Sequence, residues 1–291
     1  LAAGQHQLTL TVTDSAGHVS TDEVRIVVAN ADTLLVDSFN DGNATGWGVA
    51  STGPQYATRS TAEHGIAAIP GGTGSETVTD LPKLGQTDGG VLVKIDGAAP
   101  GSIAKSYSLV YDLVINPGVA SYFSFLQTDL TNTSDQDIAL RNVNGQRGGI
   151  GINSDYEGTV NYGAWHRIAF TITDRGDNVL ITKYIDGVKV GDTVQSGGNY
   201  GRYQIDMSKG FLLFADESGE TWPGYASSFL FTDKVLTDAE VAALGGVKAS
   251  GIMDTKPSAN SVQIDFGNPA WPNEFGAGNA QSVTFDAAGT G

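Results

Sequence analysis

Tyr162-Gly163-Ala164-Trp165-His166-Arg167-Ile168-Ala169 and, after an intervening turn, Lys183-Tyr184-Ile185-Asp186-Gly187-Val188-Lys189-Val190-Gly191 form the stretch on which the fold turns. Trp165 to Thr173 and Val179 to Ile185 are short apolar runs divided by aspartate and glycine, so they predict strands. Trp165, with Ile168 and Phe170 close by, belongs to the core. Outward from this pair the same pattern repeats. Further strands are expected at Leu34 to Phe39, Gly90 to Ile95, Tyr107 to Ile115, Ser121 to Gln127, Ile138 to Asn142, Gly149 to Ile152, Phe211 to Ala215 and Ser227 to Thr232. Many short strands with turn signals between them predict an all-β sandwich or jelly roll. One segment reads as a helix, Leu236 to Leu244. Thr237 and Glu240 stand at capping-box spacing there, and Gly245-Gly246 stops it.

Composition agrees with this. Glycine contributes 39 of 291 residues while only 16% are charged, the profile of turn-rich β structure. The formal charge of -16 repels phosphate backbones and anionic lipid, which argues against nucleic acid as a partner. No apolar run approaches the roughly 20 residues that cross a bilayer, so no membrane insertion is expected. The absence of cysteine removes disulfides, zinc-thiolate sites and thiol nucleophiles. Neither end reads as a native terminus, and the chain is expected to be cut from a larger exported protein.

The first thirty residues stand apart. Leu8, Leu10 and Val12 alternate with Thr9, Thr11 and Thr13, Asp14-Ser15-Ala16-Gly17 supplies a turn, and Val24 to Val28 alternates again, so a hairpin is predicted. Gly4 to Ser20 resembles the last strands of a polycystic kidney disease-type domain, an immunoglobulin-like spacer of exported bacterial proteins. The Trp165-His166-Arg167 strand, the Tyr184-Ile185-Asp186-Gly187 hairpin and the run Leu236 to Leu244 resemble, in order, motifs of laminin G-like, concanavalin A-like jelly rolls. That second resemblance extends from Asp32 to Gly246. One departure is Gly224-Tyr225-Ala226-Ser227-Ser228, which lacks a carboxylate that many relatives carry at the start of the final strand. The expected organisation is a partial spacer at 1–30, a jelly roll at 31–246, and at 247–291 a linker or a further β segment.

Three polar loops are candidates for a cation. Gln127 to Asp137 offers Asp129, Asp135 and Asp137 at near-alternate positions, a donor set that suits calcium, though Asp and Asn bonding their own backbone would explain it equally. Asp37, Asn40 and Asp41 stand where the first long strand gives way to a loop, a place where jelly rolls of this kind often hold a structural calcium; the pair Asp41-Gly42 is also a turn signal. Asp216 heads a loop that carries Glu217, Glu220 and Trp222. Its carboxylates would repel one another unless a cation lay among them or Arg202 or Arg167 paired with them.

For a sugar ligand, aromatic platforms and planar polar groups are needed. Tyr156, Tyr162, Tyr200, Tyr203 and Trp222 are expected exposed on loops, with Gln127, Asn153 and Arg202 as polar partners. No strand carries the alternating carboxylates of a retaining glucanase, which stand about 5 Å apart. A lyase would need His166, with Tyr184 and Arg141. The reading that follows is a non-catalytic module binding glycan or a cell surface, with structural calcium, secreted as part of a larger bacterial enzyme whose other domains are its partners. A lyase or glycosidase acting through His166, and an adhesin segment that binds protein, are the alternatives.

Overall fold

A computed structural model of the chain describes residues 61–62, 65–81, 90–93, 95 and 98–252 in full, and the backbone of six further strands at 4–13, 19–28, 33–37, 47–49, 58–60 and 263–264. The chain divides into two compact units, residues 1–31 with 253–291, and residues 32–252.

In the first unit β1 (Gly4–Thr13) and β2 (Val19–Val28) form an antiparallel hairpin in continuous register, with Leu8 opposite Val24 and Val12 opposite Ser20. The alternation read in the sequence is that of this ladder. The second unit runs through β3 (Thr33–Asp37), β4 (Trp47–Val49), β5 (Thr58–Ser60), β6 (Thr77–Leu81), β7 (Val91–Val93), β8 (Ile103–Ala104), β9 (Tyr107–Ile115) and β10 (Tyr122–Gln127). It continues through β11 (Ile138–Asn142), β12 (Arg147–Ile152), β13 (Asp155–Asn161), β14 (His166–Asp174), β15 (Asn178–Ile185), β16 (Val188–Ser196), β17 (Ile205–Asp206), β18 (Phe211–Leu213) and β19 (Gly224–Thr232), then the helix α1 (Asp238–Leu244). A last strand, β20 (Gln263–Ile264), pairs with β2 and so makes a three-stranded sheet in the first unit.

The second unit is an antiparallel β-sandwich of jelly-roll type. One sheet has seven strands in the order β13-β12-β11-β10-β18-β7-β4; the other has eight, β16-β15-β14-β9-β19-β6-β5 with β3 also paired to β19. Period-two alternation fills the space between them. Phe123, Phe125, Leu140 and Ile150 face inward from the first sheet, and Leu109, Tyr111, Ile168, Phe170, Phe229 and Phe231 from the second. Residues of opposite parity, Val110, Ala169, Tyr184 and Leu230, face outward under Val241 and Leu244 of α1. All nine residues of β9 are therefore buried, Ser108 and Asp112 among them. Trp165 is buried with Ile69, Val78 and Val114, and its indole nitrogen donates to the Ala67 carbonyl at 2.6 Å.

The helix forms as the capping box predicts: the Glu240 amide donates to the Thr237 hydroxyl at 3.2 Å, and the Thr237 amide to the Glu240 carboxylate at 2.9 Å. It is fixed to the sheet by Arg167, which is 1% exposed. Arg167, Asp112 and Ser228 stand side by side on β14, β9 and β19. The guanidinium forks onto Asp112 at 2.6 and 2.7 Å and also donates to the carbonyls of Leu244 and Gly251, while the Ser228 hydroxyl donates to Asp112 at 2.7 Å. Asp112, on the strand beside the final one, carries the charge that Arg167 needs. The sandwich runs on past residue 246, because Val247 and Ile252 are buried in its outer clusters.

Candidate functional site

The outward face of the seven-stranded sheet carries an aromatic pair. Tyr122 follows the inverse parity of Phe123, and Arg141 that of Leu140, so both point away from the core, and they lie directly opposite each other across β10 and β11. Tyr156 joins them from β13. The Tyr122 and Tyr156 ring centroids are 5.8 Å apart at 50°, and the Arg141 guanidinium carbon lies 5.9 Å from the Tyr156 ring. Glycines make this possible: a Cβ on Gly151 would stand 1.8 Å from the Asp155 carbonyl, and one on Gly149 3.1 Å from the Tyr156 backbone. The backbone of β13 can thus fold closely over β12 and deliver Tyr156. Among the described residues neither tyrosine hydroxyl nor the guanidinium of Arg141 makes a hydrogen bond. Half-burial, Tyr122 and the carboxylates of Asp135 and Glu220 hold the Tyr156 hydroxyl above the ordinary tyrosine range, so it is a donor at neutral pH.

Beside this face two loops meet, 128–137 after β10 and 214–223 after β18. Phe214 opens the second with φ 55, a left-handed conformation that a bulky residue rarely takes, and Asn132 in the first has φ 50. Asp216, 1% exposed, organises the junction. One oxygen accepts from the Ser218 amide at 2.9 Å, the Ser218 hydroxyl at 2.6 Å and the Glu220 amide at 3.0 Å; the other accepts from the Gln136 amide at 3.3 Å. Asn132 donates to the Asp216 carbonyl at 3.2 Å, and Gln136 donates to Glu220 at 2.9 Å. Burial raises the Asp216 carboxyl, but these donors outweigh it and the net direction is down. Glu217 goes the other way: burial and the adjoining Asp216 push it up to about 7.

One oxygen each of Asp135, Asp216 and Glu217 lie within 4.8 Å of one another, an acidic group able to hold a metal ion. Three buried side-chain oxygens of the same loops, Asn132 Oδ1, Gln136 Oε1 and Glu217 Oε2, lack hydrogen-bond partners. Orphaned acceptors without a donor are costly in a protein and are what a hard, oxygen-seeking cation satisfies. The neighbouring arginines do not fill this place. Arg202 pairs with Asp137 and Arg167 with Asp112, so neither meets Asp216 or Glu217 as the sequence allowed.

The other sequence-stated ligands fall elsewhere or are already occupied. Both oxygens of Asp129 are taken by the amides and hydroxyls of Thr131 and Thr133, which hold it far below the ordinary carboxylate range although burial alone would raise it. Asp137 is buried and accepts from the Thr128 amide at 2.5 Å and from Arg202. Asp129 and Asp137 are thus braces of the loop, while Asp135 and Asp216 belong to the acidic group. Asp37 ends β3 with its side chain outside the described residues, and Asn40 and Asp41 lie outside them altogether.

Of the expected exposed aromatics, Tyr156 alone lies on the face described. Tyr203 is 1% and Tyr162 8% exposed, both in the main core, because the 3-10 helix Gly197–Tyr203 and the turn after β13 aim them inward; the Tyr162 hydroxyl donates to Asn142. Tyr200 donates to Asp174 at 2.6 Å, and Trp222 packs partly buried against the core. Gln127 is buried, donating to the Ser134 carbonyl and accepting from the Asp129 amide. Asn153, with φ 57 in the turn before β13, donates to Gln195 at 3.0 Å. Arg202 clamps the carbonyls of Asp135 and Gln136.

His166 has no free nitrogen. Nδ1 meets Asp186 at 2.7 Å and Nε2 accepts from the Asn161 amide at 3.1 Å, which makes the ring a strut. Tyr184, its expected companion, donates instead to Asp238 at the helix. Tyr122 and Arg141, absent from the sugar-facing set drawn from the sequence, had a signal there: each alternates with a core residue in a strand whose limits were legible.

No protein-family model and no curated protein matches the chain. Among solved structures, it is similar to domain 4 of an extracellular arabinanase from Geobacillus stearothermophilus in complex with arabinotriose, at 16% identity over 74% of this chain and 98% of that one, with a TM-score of 0.42. The carbohydrate-binding module of Ruminococcus gnavus IT-sialidase bound to alpha2,3 sialyllactose is similar at 14% identity, over 49% and 84% of the two chains, with a TM-score of 0.35. A heptameric pentraxin from Limulus polyphemus is similar at 17% identity, over 58% and 87%, with a TM-score of 0.34.

Proposed function

We propose that the chain is a non-catalytic glycan-binding module of a larger secreted enzyme, its jelly roll laminin G-like and its first strands a polycystic kidney disease-type spacer. A calcium ion among Asp135, Asp216 and Glu217 would rigidify the loops beside the ligand. The observation that carries the reading is the Tyr122–Tyr156 pair with Arg141: apolar rings with unpaired donors, set on a rigid sheet, suit a pyranose whose faces are apolar and whose rim is hydroxylated. The oxygen-only donor set and its orphaned acceptors favour calcium. A lyase or glycosidase working through His166 has no unoccupied ring nitrogen to serve as base.

Electrophoresis of the chain through gels containing soluble polysaccharides, with calcium or with chelator, tests this. Retardation in at least one polysaccharide, stronger with calcium and lost in Tyr156→Ala, is expected. Unretarded migration across a broad panel contradicts it.

A further inference from the structure

We propose that the glycan taken by this face carries a carboxylate, as uronic and nonulosonic acid residues do, and that Arg141 forks onto that carboxylate while the tyrosine pair holds the sugar ring. The inference rests on the glycan-binding reading and deepens it. Arg141 lies exposed over the Tyr156 ring and opposite Tyr122, yet has no carboxylate partner among the described residues. Arg167, Arg202, Lys183, Lys189, Lys209 and Lys234 are paired with acids, whereas Arg141 leaves its donors open beside two tyrosine rings in a chain of net charge -16. A planar guanidinium stacked on an aromatic ring is preorganised for a planar bidentate anion.

Asp135 and Glu220 stand near enough to act on the Tyr156 hydroxyl. With a divalent ion among Asp135, Asp216 and Glu217, part of this negative charge is neutralised, and Arg141 remains as the cation on the sheet face. The overall negative surface also excludes general attraction of polyanions, so binding of an acidic glycan would have to be local.

Calorimetric titration of the full chain in calcium-containing buffer tests this. The ligands are an oligogalacturonate and a sialyllactose, each compared with its carboxyl-reduced, neutral counterpart. We expect at least one acidic form to bind about 10- to 100-fold more tightly than its reduced partner, the range of a charge-assisted pair. Arg141→Gln should bring that acidic ligand down to the level of its neutral counterpart, and Arg141→Lys should keep part of the preference. Arg175→Gln, at an exposed arginine away from the site, serves as the charge control and should keep all of it. Which acid is preferred identifies the sugar class. Equal binding of acidic and reduced forms overturns the acidic-ligand inference and leaves glycan binding standing; no binding of any glycan overturns both.

Discussion

Glu217 keeps its proton up to about pH 7, because burial and the adjoining Asp216 both oppose its charge. A calcium ion in the acidic group must displace that proton, so calcium affinity should rise as the pH rises from 6 to 8. In Glu217→Gln the binding should be weaker and that slope should flatten; a wild-type affinity constant across this range, measured by calorimetry, would contradict the role given to Glu217. Asp186 titrates in the opposite sense. Burial raises it, but the bonds from His166 and the Arg167 amide win and lower it. A lowered carboxyl stabilises the fold above its unfolded value near 3.9 and loses that contribution as the pH falls through the lowered one. Urea unfolding should therefore show Asp186→Asn less stable than wild type at pH 7, with the gap closing in acid; a gap that persists unchanged at low pH would show that the charge is not the cause.

The row Arg167–Asp112–Ser228 ties three strands to the end of α1, and no other described cation reaches Asp112. Removing one partner of a buried pair strands the other, so Arg167→Ala should cost about 3–5 kcal/mol in chemical denaturation; a loss below about 1 kcal/mol would mean that water or a neighbour replaces the guanidinium. Elements of this kind differ in how legible they are. The limits of β9 and β11 coincide with the strands read from the sequence, since β9 is buried on both faces and β11 is bounded by polar turns. β13, with the sequence Asp-Tyr-Glu-Gly-Thr-Val-Asn, escapes such a reading: it is an edge strand, mostly exposed, and buries only Val160. Tyr156 sits on it, so the platform was visible as a loop tyrosine and not as part of a sheet face.

Across the whole sandwich, convergence is what local patterns do not reveal. The two acidic loops are each conspicuous in the sequence, but Gln136 and Asp216, which join them, are 80 residues apart, and only the order β11-β10-β18 brings them together. Likewise Arg202 was a plausible partner for Asp216 until the 3-10 helix Gly197–Tyr203 carried it to Asp137. If the ion rigidifies this junction, thermal unfolding should occur several degrees higher with calcium than with chelator, and Asp216→Asn should abolish the difference; identical melting curves would remove the ion from the account. The central claim is that ligand binds the outward face of the seven-stranded sheet at Tyr122, Arg141 and Tyr156. Hydrogen–deuterium exchange of the full chain with and without a retained polysaccharide tests it most directly. Protection confined to β10, β11, β13 and the loops at 128–137 and 214–223 is predicted, and protection centred instead on β14 to β16 of the opposite sheet would contradict it.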